Sequence, residues 1–250
     1  MQFIPERQAT ILARLQRDGR VVSTALAEEL EVSVDSIRRD LHELEAAGRL
    51  QRVHGGAIRP LPGKTQFLER LEDDEPRREL LAGRAAELIA DDQLIAIGGG
   101  TTALEWAQAL RRDLRATVLT TSLDVASALR THPAVTVDVL GGRLDRASQT
   151  LTGAGTVEQL RAVRPDVCIV SPCWLHLEHG VTLRERAEAE VVKAMIERSR
   201  RVIAIAGETK LGWAGPYVVA ETEQLDALVT DGPDPVIVEF GRLGIELITP

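Results

Sequence analysis

Residues 32–57 read VSVDSIRRDLHELEAAGRLQRVHGGA, and this stretch decides the fold of the first part of the chain. Its apolar residues recur every three or four positions, which predicts a helix over 34–47 with one buried face. Ser33 is suited to cap the N-terminus of that helix through its hydroxyl. The glycine pair at 55–56 accepts positive φ angles and predicts a tight turn between two short strands. The predicted buried face comprises Ile37, Leu41 and Leu44.

The sequence before residue 32 supplies two further elements. Helical spacing predicts a first helix that ends at Gly19 and a second helix over 23–30, and Val21 and Val22 form a short extended pair between them. Two helices, a tight turn, a third helix and a hairpin within 60 residues follow the plan of a winged helix-turn-helix. The sequence therefore predicts a DNA-binding module.

The third helix of this module is predicted to enter the major groove of DNA. Arg38 and Arg39 lie on its exposed side, where an arginine can bond a guanine edge or clamp phosphates. Two adjacent arginines alone are typical of any solvated helix, so it is the order of the surrounding elements that favours DNA binding. The hairpin is predicted to contact the DNA backbone or the neighbouring minor groove. The predicted DNA-binding residues are Ser33, Asp35, Ser36, Arg38, Arg39, His42, Arg52 and His54.

A different pattern begins near residue 94, where short β-branched runs alternate with helical stretches. This alternation predicts an α/β domain with a mostly parallel sheet covered by helices. Between the two patterns, RPLPGKTQ at 59–66 contains two prolines and a glycine, as linkers often do. The predicted organisation is a winged helix-turn-helix at 1–58, a linker at 59–76, and an effector-sensing and oligomerisation domain at 77–250.

Four loops are predicted at the carboxyl ends of the parallel strands, where such sheets bind their ligands. The loops combine glycines, which let backbone amides approach an anion, with hydroxyl side chains and one lysine. A glycine pair is often only a turn and a lone lysine is often only solvated, but together they describe an anion site better than a reaction centre. The predicted effector-binding residues are Gly98, Gly99, Gly100, Thr101, Thr102, Thr121, Ser122, Gly141 and Lys210.

The net charge of −8 lies entirely beyond residue 60. That part contains 21 basic and 29 acidic side chains, whereas residues 1–60 contain nine of each. The larger part would repel a polyanion, so contact with DNA is predicted for the first 60 residues alone. The sequence has no run of 18 apolar residues, no signal peptide, and only the two cysteines Cys168 and Cys173. We therefore expect a cytoplasmic protein that does not enter a membrane.

Several of these stretches resemble the DeoR family of bacterial regulators. ERQATIL at 6–12 and VSTALAEELEVSVDSIRRDLHELEAAGRLQRVHGGA at 22–57 are similar to the DNA-binding signature of that family. IGGGTTALEWAQAL at 97–110 and AIAGETKLG at 204–212 fall in the order of its sensor domain. The resemblance implies a repressor of a sugar or carbohydrate catabolic operon. It also implies a sensor domain similar to sugar-phosphate isomerases of the ribose-5-phosphate isomerase type, controlled by a small phosphorylated metabolite.

Two positions depart from the pattern of that family. Gly98 stands where members often carry an aspartate, and residues 207–210 are Gly-Glu-Thr-Lys where members often carry Asp-Ser-Ser-Lys. The polar groups that face a ligand differ accordingly, so the identity of the effector stays open. The expected partners are a double-stranded DNA operator, a phosphorylated effector and further copies of the chain in a dimer or tetramer. No cofactor is expected.

Two other functions are considered from the residues. An isomerase needs a positioned general base, but the loop at 171–176 contains no acid and Glu188 is interpreted as part of a solvated helix face, so no catalytic residue is predicted. Cys173, His176 and His179 have the spacing C-x2-H-x2-H, which suits a transition metal, so a metal-responsive regulator is an alternative. No fourth ligand lies close in sequence, and no metal ligand is assigned.

Overall fold

The computed structural model divides the chain into two compact units, Met1–Pro62 and Gly63–Pro250. The described residues are 4–18, 20–46, 49–53, 55–58, 67–71 and 76–250. Some features predicted from the sequence lie outside these ranges, namely His54 of the hairpin, Gly19 at the end of the first helix, Ala47 at the end of the third, and residues 59–66 and 72–75 of the linker.

Among the described residues of the N-terminal unit, helices pack with a three-stranded antiparallel sheet. The apolar faces of all three helices meet in one core, to which Ile11, Leu26 and Leu41 contribute buried side chains. The winged helix-turn-helix predicted from the sequence is confirmed. Its elements are α1 (Ile4–Asp18), β1 (Arg20–Val22), α2 (Ser23–Glu29), α3 (Val34–Ala46), β2 (Gln51–Val53) and β3 (Gly56–Ile58).

The glycine pair of the hairpin meets two separate requirements. Gly55 has a φ of 82°, a conformation that favours glycine in a tight turn. Gly56 lies in β3 beside β1, and a Cβ atom there would lie 1.9 Å from the carbonyl oxygen of Val21. Strand β3 pairs with both β1 and β2. The extended pair that includes Val21 is therefore the third strand of the wing sheet, which the sequence alone did not predict.

A seven-stranded sheet organises the C-terminal unit. Its strands run in the order β15-β14-β12-β9-β4-β5-β6 and every neighbouring pair is parallel, which confirms the predicted α/β class. In chain order the strands of the unit are β4 (Gln93–Ile97), β5 (Ala116–Thr120), β6 (Val135–Val139), β7 (Arg143–Asp145), β8 (Thr150–Thr152), β9 (Val167–Val170), β10 (Trp174–His176), β11 (Gly180–Leu183), β12 (Arg201–Ile205), β13 (Tyr217–Ala220), β14 (Ala227–Val229) and β15 (Glu246–Ile248).

Helices cover both faces of this sheet, and each face has its own apolar core. Successive residues of a strand point to opposite faces. Ile95 and Ile97 therefore enter the core that contains Trp106, whereas Ala96 enters the core that contains Met195. In chain order the helices of the unit are α4 (Phe67–Leu71), α5 (Pro76–Ala86), α6 (Thr101–Ala109), α7 (Leu123–Leu129), α8 (Ala154–Arg161), α9 (Arg186–Arg198) and α10 (Asp234–Arg242).

Some elements of the C-terminal unit were not predicted from the sequence. Strands β10, β11 and β13 form a small antiparallel sheet, and β7 pairs with β8. Helix α4 lies within the stretch 59–76 that the sequence indicated as a linker. Its Phe67 is fully buried, and the Phe67 backbone N–H donates to the Ala147 carbonyl oxygen at 2.8 Å. Burial of this aromatic ring anchors α4 in the C-terminal unit.

Candidate functional site

Helix α3 has one apolar face and one polar face. The Ser33 hydroxyl accepts a hydrogen bond from the Ser36 backbone N–H at 3.1 Å, which confirms the predicted N-cap. The three apolar residues predicted to be inside are buried, so the remaining face is available to solvent. The exposed residues of this face that were predicted to bind DNA are Asp35, Arg38, Arg39 and His42.

The charged residues of α3 and of the wing contact one another at the surface. Arg38 Nη1 lies 3.0 Å from Asp35 Oδ1, and the Arg38 side chain is 69 % exposed. Arg52 Nη1 lies 2.9 Å from His42 Nδ1 and 3.8 Å from a Glu45 carboxylate oxygen. Exposed ion pairs of this kind contribute at most about 1 kcal/mol. These arginines can therefore exchange their partners for phosphates or base edges at small cost.

A buried ion pair between Arg7 and Asp40 lies behind the exposed face of α3. Arg7 Nη2 donates to Asp40 Oδ1 at 2.9 Å, and Arg7 Nε donates to the other carboxylate oxygen. Asp40 is only 2 % exposed. The hydrogen bond to Asp40 raises the pKa of Arg7 above its usual value. The sequence analysis missed this pair, although Asp40 lies three residues after Ile37 and four before Leu44, on the apolar face of the helix.

In the C-terminal unit, a glycine loop joins β4 to α6. Gly100 has a φ of 108°, which favours glycine, and it precedes the first turn of α6. A Cβ atom at Gly99 would lie 2.3 Å from Thr150 Cγ2, so this position is closely packed as well. Thr101 and Thr102 begin α6 and are buried. The loop thus presents backbone and the start of a helix at the carboxyl end of a central strand.

Lys210 joins this loop to two others. It ends a short 3-10 turn after β12, and its Nζ lies 3.2 Å from Ser171 Oγ and 3.5 Å from Thr102 Oγ1. Ser171 follows β9 directly, and Thr102 follows the glycine loop of β4. The structure therefore brings together the predicted residues of the first and fourth loops, with Ser171 as an additional member.

Two open cavities lie at these strand ends. The first is open to solvent and is lined mainly by apolar residues. The second is also open to solvent, and its charged residues are three basic and two acidic side chains. Lys210 lies between them, because it contacts a residue of each. Polar parts of the first wall come from Gly98, Gly99, Ser171 and Glu188. Polar residues of the second are Arg77, Arg78, Thr102, Glu208, Thr209, Lys210 and Asp231.

Glu188 corrects one interpretation of the sequence. It was assigned to a solvated face of α9, but it lies partly buried in the wall of the first cavity. Burial raises the pKa of its carboxyl to about 7. Its spacing to Val192 and Met195, four and seven residues later, already places it on the apolar face of the helix. That spacing is the signal from which its position could have been inferred.

Five predicted effector-binding residues line neither of these cavities, namely Gly100, Thr101, Thr121, Ser122 and Gly141, and the last three have structural partners. Thr121 and Ser122 are buried, and the Ser122 hydroxyl accepts from the Val125 backbone N–H at 3.3 Å as the N-cap of α7. The Gly141 carbonyl oxygen accepts from Thr156 Oγ1 at 2.7 Å, beyond the edge strand β6. The structure thus places these three residues beside the strand ends without bringing them to the Lys210 contacts.

The loop considered as a metal site has a different arrangement. The His176 and His179 rings stack with centroids 4.5 Å apart, whereas Cys173 packs against the apolar core. Burial raises the pKa of the Cys173 thiol, which disfavours the thiolate that a metal requires. Among the described residues, no three His, Cys, Asp or Glu side chains are placed to hold a metal ion. The geometry gives the metal-responsive alternative no support.

Comparison with protein families identifies both units. Residues 7–61 match the DeoR-like helix-turn-helix domain, and residues 74–232 match the DeoR C terminal sensor domain. The chain belongs to the DeoR family. The first DeoR match contains α3 and the Arg7–Asp40 pair, and the second contains the glycine loop, Glu188 and Lys210.

Curated DeoR relatives agree with this assignment. The HTH-type transcriptional repressor GlcR of Bacillus subtilis is 31 % identical over 97 % of this chain and 95 % of its own. The Glycerol-3-phosphate regulon repressor of Escherichia coli is 28 % identical over 93 % of each chain. Among solved structures, ribose 5 phosphate isomerase A of Neisseria gonorrhoeae is 18 % identical, over 54 % of this chain and 52 % of its own, with a TM-score of 0.41. The DeoR relatives are regulators, and this chain is a DNA-binding transcriptional regulator rather than an enzyme.

No helix in the described part of this DeoR protein is both long enough and apolar enough to cross a bilayer.

Proposed function

We propose that this DeoR protein represses a sugar or carbohydrate catabolic operon in the cytoplasm and that a small phosphorylated metabolite controls it. The observation that carries the proposal is the Lys210 ammonium, which lies beside Ser171 and Thr102 where three strand-end loops meet. Lysine, hydroxyls and the start of a helix are groups that bind phosphate. The name of the E. coli relative, a repressor of a glycerol-3-phosphate regulon, supports the same class of effector.

In this proposal the N-terminal residues 1–58 bind the operator, residues 59–66 link the two parts, and the residues from α4 to 250 sense the effector and hold the copies of a dimer or tetramer together. A single winged helix makes few phosphate contacts, so two or more copies on repeated half-sites are needed for tight binding. Effector binding changes operator affinity through a coupling free energy of about 1–3 kcal/mol, as is usual for allosteric proteins.

The first prediction concerns the recognition helix. Arg38→Ala should weaken binding to specific DNA by roughly 5–150-fold, because a bidentate arginine–base contact contributes about 1–3 kcal/mol of discrimination. Duplexes selected by the wild-type protein from a random pool serve as the operator, and fluorescence anisotropy measures the affinity. Arg14→Ala removes the same charge from α1, where Arg14 pairs with Glu29, and is the matched control. Equal losses in the two variants would contradict the assignment of Arg38 to base recognition.

The second prediction concerns the effector site. Lys210→Met should leave operator affinity unchanged in the absence of effector, and it should raise the effector concentration needed for half the response by about 10–150-fold. The estimate follows from about 1.5–3 kcal/mol for a hydrogen bond to a charged group. Lys193→Met removes an exposed lysine that pairs with Glu197 on α9, and it should respond as wild type does. A normal response of the Lys210 variant would place the phosphate elsewhere.

A further inference from the structure

Glu188 is a carboxyl on the cavity-facing side of α9. It precedes Val192 and Met195 by four and seven residues, and all three line the first cavity. Gly98 and Ser171 lie in the same wall. An acidic side chain among apolar ones is costly unless it is paired or serves a ligand.

Within the part of the chain that the structure describes, this carboxyl forms no hydrogen bond or ion pair, although the positive charge of Arg70 faces it. Among residues 67–71 and 76–250, the described hydrogen bonds and ion pairs do not include Glu188. The charged groups that face it are Arg70 of α4, Asp145 of β7 and Glu185 just before α9, and the Cys173 thiol is also within its field. Burial is the main cause that raises the pKa of Glu188. Asp145 and Glu185 raise this pKa further, and Arg70 lowers it. Its oxygens are therefore available to a bound molecule.

A cation lies near the same wall. Lys210 contacts Ser171 at 3.2 Å, and Ser171 lines the cavity with Glu188. Both charges act on the Cys173 thiol. Burial has the largest effect and raises the pKa of this thiol, the Glu188 carboxyl raises it further, and Lys210 lowers it. A ligand that extends from this cavity past Ser171 would meet the Glu188 carboxyl inside the cavity and the Lys210 ammonium at its edge. The groups that suit these two side chains are an anion beside Lys210 and a hydrogen-bond donor beside Glu188.

We propose that Glu188 determines the class of effector, by accepting hydrogen bonds from hydroxyls of a phosphorylated sugar or polyol and by excluding phosphorylated compounds that carry a carboxylate in place of a terminal hydroxyl or aldehyde. This inference rests on the proposed function, and it adds a preference for phosphorylated sugars and polyols over phosphorylated acids. Hydroxyl donors satisfy the carboxylate oxygens, whereas a second carboxylate would be repelled by Glu188.

The exclusion should depend on pH in a defined direction. Above pH 7 Glu188 carries its charge and repels an acid ligand, whereas below pH 7 it is neutral and can donate to one. Selectivity for the ligand without a carboxylate therefore rises as the pH is raised through about 7. The phosphate group also titrates near this range, but it is common to both members of a matched pair and cancels in their ratio.

The test measures binding of the full chain by isothermal titration calorimetry at pH 6 and pH 8. Three matched probe pairs are glucose 6-phosphate with 6-phosphogluconate, glycerol 3-phosphate with 3-phosphoglycerate, and erythrose 4-phosphate with 4-phosphoerythronate. For the pair that binds, wild type should prefer the member without a carboxylate at pH 8 by on the order of tenfold, and by clearly less at pH 6. Glu188→Gln keeps the shape of the side chain and its ability to form hydrogen bonds. In this variant the ratio of the affinities for the two members of a pair should be small and independent of pH. Glu190→Gln changes an exposed residue paired with Arg186 and should behave as wild type.

The possible failures are distinguishable. If phosphorylated probes bind but Glu188→Gln keeps the wild-type ratio at both pH values, the role of Glu188 is overturned and the proposed function stands. If the acid member is preferred at pH 8, the role is also overturned. If none of the phosphorylated probes binds, the proposed effector class is contradicted and this inference fails with it. Selectivity that disappears in Glu188→Gln and persists in Glu190→Gln supports the inference, because a merely structural role would change both affinities of a pair equally.

Discussion

Asp40→Ala should lower the free energy of unfolding of the N-terminal unit by about 3–5 kcal/mol, the range for removal of one partner from a buried ion pair. The substitution leaves the Arg7 guanidinium buried without the carboxylate that accepts two of its hydrogen bonds. It also creates a gap on the apolar face of α3, between Ile37 and Leu44. Loss of DNA binding should follow, because α3 depends on this core for its position.

Hydrogen exchange of peptides from α1 and α3 in the full chain measures this effect. The tryptophans, Trp106, Trp174 and Trp213, all lie in the C-terminal unit, so their fluorescence should remain that of wild type and serves as an internal control. Glu43→Ala changes an exposed residue of α3 that accepts from Gln8 Nε2, and it should cost less than about 0.5 kcal/mol. Equal protection in the two variants would show that the buried pair is not a main support of this unit.

A double variant separates loss of packing from loss of charge. Arg7→Met with Asp40→Leu removes both charges and fills the site with apolar groups of similar size. Such replacements of buried ion pairs are often neutral or stabilising. The double variant should therefore recover most of the stability that Asp40→Ala loses. A double variant as unstable as the single one would mean that packing, and not the unpaired Arg7 charge, accounts for the loss.

Glu188→Gln should stabilise the C-terminal unit at pH 8 by up to about 3 kcal/mol, because the pKa of Glu188 rises from 4.5 to about 7 on folding and each pKa unit corresponds to about 1.4 kcal/mol. Between pH 4.5 and 7 the folded chain holds a proton on Glu188 that the unfolded chain has lost. The contribution of Glu188 to wild-type stability therefore decreases as pH rises through this window. Glutamine carries no charge at any pH, so the gain is largest above pH 7 and disappears below pH 4.5.

Urea unfolding followed by tryptophan fluorescence at pH 5 and pH 8 tests this expectation. Trp106 and Trp174 are buried in the C-terminal unit and report its unfolding directly. Glu190→Gln, on the exposed side of the same helix, should show a difference between the two pH values no larger than that of wild type. If Glu188→Gln gains the same stability at both pH values, the carboxyl is not the titrating group in this window.

Local features of the sequence were sufficient for most of the elements but not for all. Six of the seven strands of the parallel sheet, all except β15, are short apolar runs between turns and follow from the alternating pattern that begins near residue 94. Helix α10 was missed, since Val236, Ile237 and Val238 are β-branched and typical of a strand. Pro235 in its first turn and the three-residue spacing of the buried Ile237 and Phe240 favour a helix instead. Here burial of one face overrides the intrinsic preference of the residues.

The site was only partly predictable, because its contacts join residues far apart in the chain. Lys210 meets Ser171 and Thr102, which are 39 and 108 positions away. The sequence indicated the loops of Thr102 and Lys210 but not Ser171, and the distances depend on the order of β4, β9 and β12 in the sheet. Thr121 and Ser122 also have hydroxyl side chains after a strand and were predicted for the same reason. In the structure the Ser122 hydroxyl caps helix α7 instead.

The sequence by itself determined the winged helix-turn-helix, the parallel α/β class and the strand-end position of the candidate site, because periodicity, caps and glycine turns act over a few residues. Only the tertiary structure decided that Asp40 is paired with Arg7, that Lys210 lies between two cavities, and that the Glu188 carboxyl faces one of them. Burial and pairing of charges depend on which elements pack together, and that packing is a property of the whole domain.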